Sequence, residues 1–207
     1  RAKKVVLATG SIERFLTFDN NDRPGIMLAC SARRYLNHYG VNLGVNVVVF
    51  TNNDTAYQTA IDFYKEGIKV QAIVDVRNES KGDLPKIANK LGITIYNNHV
   101  VIDTKGRKKI NAVIINKIDE SSNNLIGRSI KLSCNLLCVS GGWSPTVNLF
   151  SQSRGKLIYR ESDATFVPHK SFQEEISVGA CNGTFSINEI FEETRKKIIK
   201  LFTVEWK

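Results

Sequence analysis

The stretch NVVVFTNNDTAYQTAIDFYKEGIKVQAIVDVR, residues 46–77, reads as strand, turn, helix and strand. Val47 to Phe50 are a short apolar, β-branched run, the mark of a strand buried on both faces. Asp54 is placed to cap the helix that follows, its carboxylate accepting from the free N–H groups of the first turn. Tyr57, Ile61 and Tyr64 form one helical stripe, with Ala56, Ala60 and Phe63 beside it. Gly67 supplies a left-handed helix stop. Ile68 to Val74 return to an apolar strand that closes on Asp75. This is a βαβ unit of the dinucleotide-binding kind, whose fingerprint wants G-x-G-x-x-G/A at the first turn and an acid ~20 residues on. The three glycine positions fall on Thr51, Asn53 and Ala56, and Asp75 stands where the ribose-binding acid belongs. Ala56 is small enough for helix to pack on strand. A Cβ at Thr51 or Asn53 obstructs the approach of a pyrophosphate, although Asn53 is a residue type that visits the left-handed region. The expectation is a nucleotide-binding fold with a disabled phosphate loop; a plain βαβ with no ligand has the same residues.

A chain of 207 residues with 42% hydrophobic and 24% charged content has room for one large or two small cored domains. No apolar run approaches the ~20 residues of a membrane span. Arg1 leads almost directly into a buried-type strand and no initiating Met precedes it, so the chain reads as a piece of a longer polypeptide without a signal peptide. Net charge is +9. The lysines are scattered, no aromatic residues interleave with a basic cluster, and only the stretch Thr194 to Lys200 is concentrated. That pattern fits solvated faces better than a nucleic-acid surface. Cys30, Cys134, Cys138 and Cys181 offer one C-x-x-x-C inside an apolar stretch, too few ligands for zinc. Small buried hydrophobes in a reducing cytoplasm are expected, and no metal site. His38, His99 and His169 lie apart with no paired nucleophile or carboxylate, so no catalytic residue is assigned.

Taken in order, Lys4 to Ala8 read as a strand stopped by Thr9-Gly10. Here glycine permits a close backbone approach and the hydroxyl suits a phosphate or ribose. DNNDRPG, 19–25, is a polar turn. Ile26 to Tyr39 read as a helix, as do Lys81 to Gly92 with Leu84, Ile87, Ala88 and Leu91 on one side. Ile93 to Tyr96, His99 to Asp103, Ile110 to Ile118 and Ile130 to Leu132 read as a meander. Asn135 to Val139 form another buried strand, ending in SGGWSPT. Residues 150–170 read as loop. Glu175 to Val178 form a strand, Gly179 to Gly183 a turn, and Ser186 caps a last helix running to about Leu201, with Ile190, Phe191, Ile198 and Leu201 inward.

The order strand-ATG, inserted βαβ with meander, strand-GGWSPT and strand-VGA resembles the two-domain flavin and pyridine-nucleotide reductases. It implies an α/β, Rossmann-like three-layer fold with an inserted second βαβ domain plus β-meander. The outer nucleotide-binding part would be 1–43 and 139–207, lacking its opening GxGxxG unit, and the inserted NAD(P)H-binding-like part 44–138. More closely, ATGSIER, DNNDRPGIMLACSARRYLNHYGV, VVVFTNNDTAY and VSGGWSPTVNLFSQSRGKL resemble the α subunits of heterotetrameric sarcosine oxidase over nearly all of the chain. Phe15 departs from that pattern, which has proline, and Asn135 stands where an acid is usual.

That resemblance implies oxidative demethylation of sarcosine to glycine, with the one-carbon unit passed to tetrahydrofolate or released as formaldehyde and oxygen reduced to peroxide. It implies FAD in the β subunit, FMN at the α–β interface, folate on the C-terminal half of α, and β, γ and δ partner subunits. Flavin reductases end the late strand in Gly-Asp, where the Asp holds the ribityl chain. Here the pair is Gly179-Ala180, and alanine accepts no hydrogen bond. The resemblance therefore implies NAD in the outer part, lined by Ala8, Thr9, Gly10, Gly179, Ala180 and Thr184, with the last helix aiming its N-terminus at phosphate. Two other readings stay open: a nucleotide-free interaction module of a related amine or opine oxidase complex, and an NAD(P)H-dependent reductase domain.

Overall fold

A computed structural model describes residues 2–119, 121 and 124–203, with backbone only for residues 202 and 203. The chain forms two compact units, Glu13–Gly142 and Arg1–Ile12 with Trp143–Lys207. Residues 13–43 and 139–142, placed with the outer part on sequence, therefore lie in the central unit. The hydrogen-bonding reason is plain: Ile26–Leu28 pairs with Leu137–Val139.

The central unit is built on a five-stranded parallel sheet. Its order is Ile26–Leu28, Leu136–Ser140, Asn46–Thr51, Lys69–Asp75 and Ile95–Asn97. Because strand side chains alternate, the Asn46–Thr51 strand feeds two cores. Val47 and Val49 join Ile73, Leu136 and Cys138 against the helices Ala29–Tyr39, Thr55–Lys65 and Asp83–Lys90, meeting Tyr57, Ile61, Phe63 and Ala88. Val48 and Phe50 join Ala72, Val74, Leu137 and Val139 against Val101, Val113, Ile115 and Leu132. The latter belong to an antiparallel meander, His99–Lys105, Ala112–Ile118 and Leu125–Ser133. Helices, sheet and meander make the three layers expected. On the Thr55–Lys65 helix Tyr57, Ile61 and Phe63 are buried as the stripe requires, whereas Tyr64 faces solvent, as does Ile87 on the next helix.

Three assignments change. Ile26–Leu28 is strand and not the first turn of a helix. Leu28 is extended, and the helix begins at Ala29, because the free edge of the Leu136–Ser140 strand recruits this β-favouring tripeptide. Ile95–Asn97 is the fifth parallel strand and not part of the meander; the Asp83–Lys90 helix is its crossover, so the central stretch is followed by a second βαβ. Residues 150–170 are not loop. After the short helix Asn148–Gln152, Lys156–Arg160 and Thr165–Lys170 pair antiparallel, with an Arg160–Asp163 ion pair across the turn. Their many charges, on exposed positions, had hidden the alternation.

In the outer unit Val5–Leu7 pairs in parallel with Glu175–Ser177. A 3-10 turn, Gly179–Asn182, leads towards the long helix Ile187–Thr203, on which Phe191 is 71% exposed instead of inward. Among the described residues no helix is long and apolar enough to cross a membrane.

Gly25 shows how tightly the central unit is assembled. Its φ is +96°, and a Cβ there would stand 2.6 Å from Ile110 Cγ2 and 3.0 Å from the Asn135 carbonyl. The Gly25 carbonyl also accepts from Leu137 N–H at 2.8 Å. Gly25→Ala should therefore lower stability by about 1–3 kcal/mol, read as a lower urea midpoint at unchanged m-value.

Candidate functional site

Two strand-to-helix regions were candidates for a nucleotide, and each lies within one unit. In the central unit the turn after Thr51 is closed by its own side chains. Thr51 Oγ1 accepts from Asn53 N–H and donates to the Asn53 carbonyl, both at 3.0 Å. Asn53 Nδ2 donates to the Ser140 carbonyl at 3.2 Å and to Ser140 Oγ at 3.0 Å. Asn53 Oδ1 accepts from the Thr55 hydroxyl at 2.6 Å and from Thr55 N–H at 3.2 Å. The left-handed conformation open to Asn53 is not used, since among the described residues those other than glycine with positive φ are Asn20, Asn98, Arg154 and Ala164. Nor does Asp54 cap the helix with its carboxylate. It forms an ion pair with Arg77 at 2.7 Å instead, because a fixed cation competes better for a carboxylate than exposed amides do.

Asp75, fully buried, ends the second strand of the βαβ. Its Oδ1 accepts from Arg77 N–H at 2.9 Å and Arg77 Nε at 3.0 Å, its Oδ2 from Arg77 Nη2 and from the Tyr57 hydroxyl, each at 2.7 Å. Burial alone would lower the Arg77 pKa, but the hydrogen bonds to Asp75 and Asp54 outweigh it and raise the guanidinium above its ordinary value. Burial pushes the Tyr57 phenol up as well, with the Asp75 carboxylate adding to it. Sequence reading placed Asp75 correctly and missed Arg77. The available signal was a guanidinium two residues beyond a strand-ending acid.

In the outer unit the parallel pairing of Leu7 with Ser177 brings Ala8, Thr9 and Gly10 to the same strand end as Gly179, Ala180 and Thr184. Val178 N–H donates to the Leu7 carbonyl at 2.9 Å, and the buried Cys181 thiol donates to Leu7 and Val178 carbonyls, both at 3.2 Å. Gly10 and Gly179 have φ of +75° and +71°, and nothing lies within 4 Å of where a Gly10 Cβ would stand. The Thr9 hydroxyl donates to the Thr146 carbonyl at 2.6 Å, so its hydrogen is spent within the fold. Thr184 N–H reaches the Gly179 carbonyl at 3.3 Å. Below the turn Glu193 takes Lys197 at 2.6 Å and Asn182 Nδ2. Burial would raise its pKa, but Lys197 and Thr184 hold it below the usual carboxylate range. A cavity of about 610 Å³ in this unit is lined by Lys4, His169, Ser177, Asn182, Lys197 and Lys200 among others, and by none of the six candidate residues.

The cysteines behave as small apolar groups: burial pushes the Cys134 thiol up to about 12, and burial with Glu13 nearby pushes Cys30 up to about 11. Among the described residues no three His, Cys, Asp or Glu side chains group as metal ligands.

No protein-family model matches the chain. It is similar to the sarcosine oxidase alpha subunit of Corynebacterium sp. (strain P-1), 38% identical over 187 residues, which is 89% of this chain and 19% of that protein. It is also similar to the alpha subunit of Rhizobium meliloti (strain 1021), 35% identical over 184 residues, 88% of this chain and 17% of that protein. The chain thus spans about a fifth of the length of the curated relatives it matches. Among solved structures it is similar to the thioredoxin reductase of T. acidophilum, with a TM-score of 0.74 at 16% identity, covering 100% of this chain and 67% of that one. The thioredoxin reductase of Lactococcus lactis gives 0.69 at 16% identity, covering 97% and 65%. The resemblance to sarcosine oxidase alpha subunits and the reductase-type fold are both borne out.

The self-closed turn at Thr51–Thr55 leads to a direct test. Restoring both missing glycines, Thr51→Gly with Asn53→Gly, should give no gain in NADH affinity in a fluorescence titration of the full chain, because Asp75 remains engaged. A clear gain would contradict the geometry.

Proposed function

We propose that this chain, which belongs to the sarcosine oxidase alpha subunit family, is the NAD-holding, subunit-contacting part of such a subunit. The observation that carries this reading is the 38% identity over 187 residues. The whole enzyme would oxidise sarcosine to glycine, transfer the one-carbon unit to tetrahydrofolate or release it as formaldehyde, and reduce oxygen to peroxide. FAD and FMN would supply the redox chemistry from the β subunit and the α–β interface, and β, γ and δ subunits would be the partners. In this plan the coenzyme-holding part is drawn from residues 1–12 and 143–207, and the inserted part corresponds to the central unit, 13–142.

The residues fit a dinucleotide better than a flavin. Gly10 leaves its strand end bare, a Cβ on Gly179 would meet Ile190 Cγ2 at 3.4 Å, and Ala8 and Ala180 add only methyl groups. The Thr9 hydroxyl is held by the Thr146 carbonyl, and Thr184 completes the turn. Ala180 offers no acceptor for a ribityl hydroxyl. These residues bind and orient; none of them moves a proton or attacks a substrate. A nucleotide-free interaction module of a related amine or opine oxidase complex is the second reading, favoured by the self-closed central turn. A reductase role is opposed by the same turn.

In the assembled enzyme Gly179→Leu should strain the left-handed turn and close the seat. Nucleotide released by acid and measured by chromatography should then fall several-fold in NAD. Unchanged NAD content in a variant that melts like the parent would count against the seat. Absence of NAD from the parent would favour the second reading.

A further inference from the structure

In a dinucleotide-binding βαβ the acid that ends the second strand accepts the ribose hydroxyls. A carboxylate has about four lone-pair sites. All four on Asp75 are taken inside the protein, by Tyr57 Oη and by three nitrogens of Arg77 at 2.7–3.0 Å. The residue is fully buried, so it has no further face to offer. The Arg77 Nε and Nη2 are committed to Asp75, and Nη2 also meets Asp54 at 2.7 Å. Of the Arg77 nitrogens only Nη1 stays outside these pairings, too little for the bidentate grip on the 2′-phosphate of an NADP-type ligand. Two carboxylates face one guanidinium, which leaves the turn negative overall and repels a pyrophosphate. Gly82 closes the same corner: a Cβ on it would stand 1.8 Å from Asp54 Oδ2.

We infer that Arg77, with Tyr57, is the built-in occupant of the ribose seat, a permanent autoinhibitory contact that keeps the central unit free of both NAD and NADP. The loss of glycines at positions 51 and 53 blocks the pyrophosphate, and Arg77 independently blocks the ribose. The inference rests on reading the central unit as a dinucleotide fold and not on the outer seat, so the NAD content of the assembled enzyme does not bear on it.

The test compares four forms of the full chain, titrated with added NADH and NADPH: the parent, Thr51→Gly/Asn53→Gly, Arg77→Ala, and the triple variant. The parent and the first two variants should bind no nucleotide beyond the single equivalent that the outer seat takes. The triple variant should gain NADH affinity by about tenfold or more, since two charge-assisted bonds to Asp75 are freed for a ribose diol. Binding of NADPH to the parent that Arg77→Ala abolishes would overturn the inference, because Arg77 would then be a ligand contact. So would a triple variant that still unfolds cooperatively above the assay temperature yet gains no site over the parent.

Because Arg77→Ala strands a buried carboxylate, stability supplies a second readout. The fall in Tm of Arg77→Leu should be largely recovered by adding Asp75→Asn. Additive effects of the two substitutions would show that Arg77 does not saturate Asp75, and would sink the proposal.

Discussion

One strand, Asn46–Thr51, has to be buried on both faces at once. Val47 and Val49 have no exposure on the helix side, nor has Val48 on the meander side, and Phe50 has almost none. Parallel neighbours satisfy its backbone along both edges, Leu136–Ser140 on one and Lys69–Asp75 on the other. A strand in that position cannot shift register by one residue without exchanging the two cores. The helices, the meander and the closing turn at Thr51 are all indexed to it. Each apolar side chain so placed contributes roughly 1.5–3 kcal/mol relative to exposure.

The central turn and the outer turn differ sharply although both stand at the ends of parallel strands in a reductase-type fold. At the central turn side chains replace what a ligand would bring. Thr51, Asn53 and Thr55 satisfy one another, and Arg77 satisfies Asp75. The polar groups are therefore complete without an occupant, as buried polar groups must be. At the outer turn Gly10 and Gly179 have positive φ, with Thr9 and Ala180 beside them, and nothing lies within 4 Å of where a Gly10 Cβ would stand, whereas Gly183 is packed under Arg160 and Val167.

Much of this was legible from residue types. The Val47–Phe50 run, the helix after Asp54, the acid at position 75 and the missing glycines at 51 and 53 each carry a local signal, and each has the place that signal implied. Ile26–Leu28 and the 156–170 hairpin differ from their sequence reading because three to six residues carry too little periodicity to distinguish edge strand from helix or loop, and Ile95–Asn97, read correctly as extended, carries no signal of which sheet it joins. Their conformation is set by whichever sheet edge lies open beside them. Phe191, apolar at helical spacing yet exposed, shows the same limit from the other direction.

The sequence alone determined that this chain is an α/β nucleotide-type fold with an impaired phosphate loop, since β-branched runs, glycine positions and turn residues act within a few residues of themselves. Its long shared strings also pointed to sarcosine oxidase alpha subunits. Only the tertiary structure decided what became of the charges. Asp54, Tyr57, Asp75 and Arg77 are separated by up to a full helix in the chain, and no local rule pairs a cap residue with a guanidinium beyond the next strand. That choice is made by burial: once Asp75 is taken out of water, the nearest cation must follow it, and the fold brings Arg77 there.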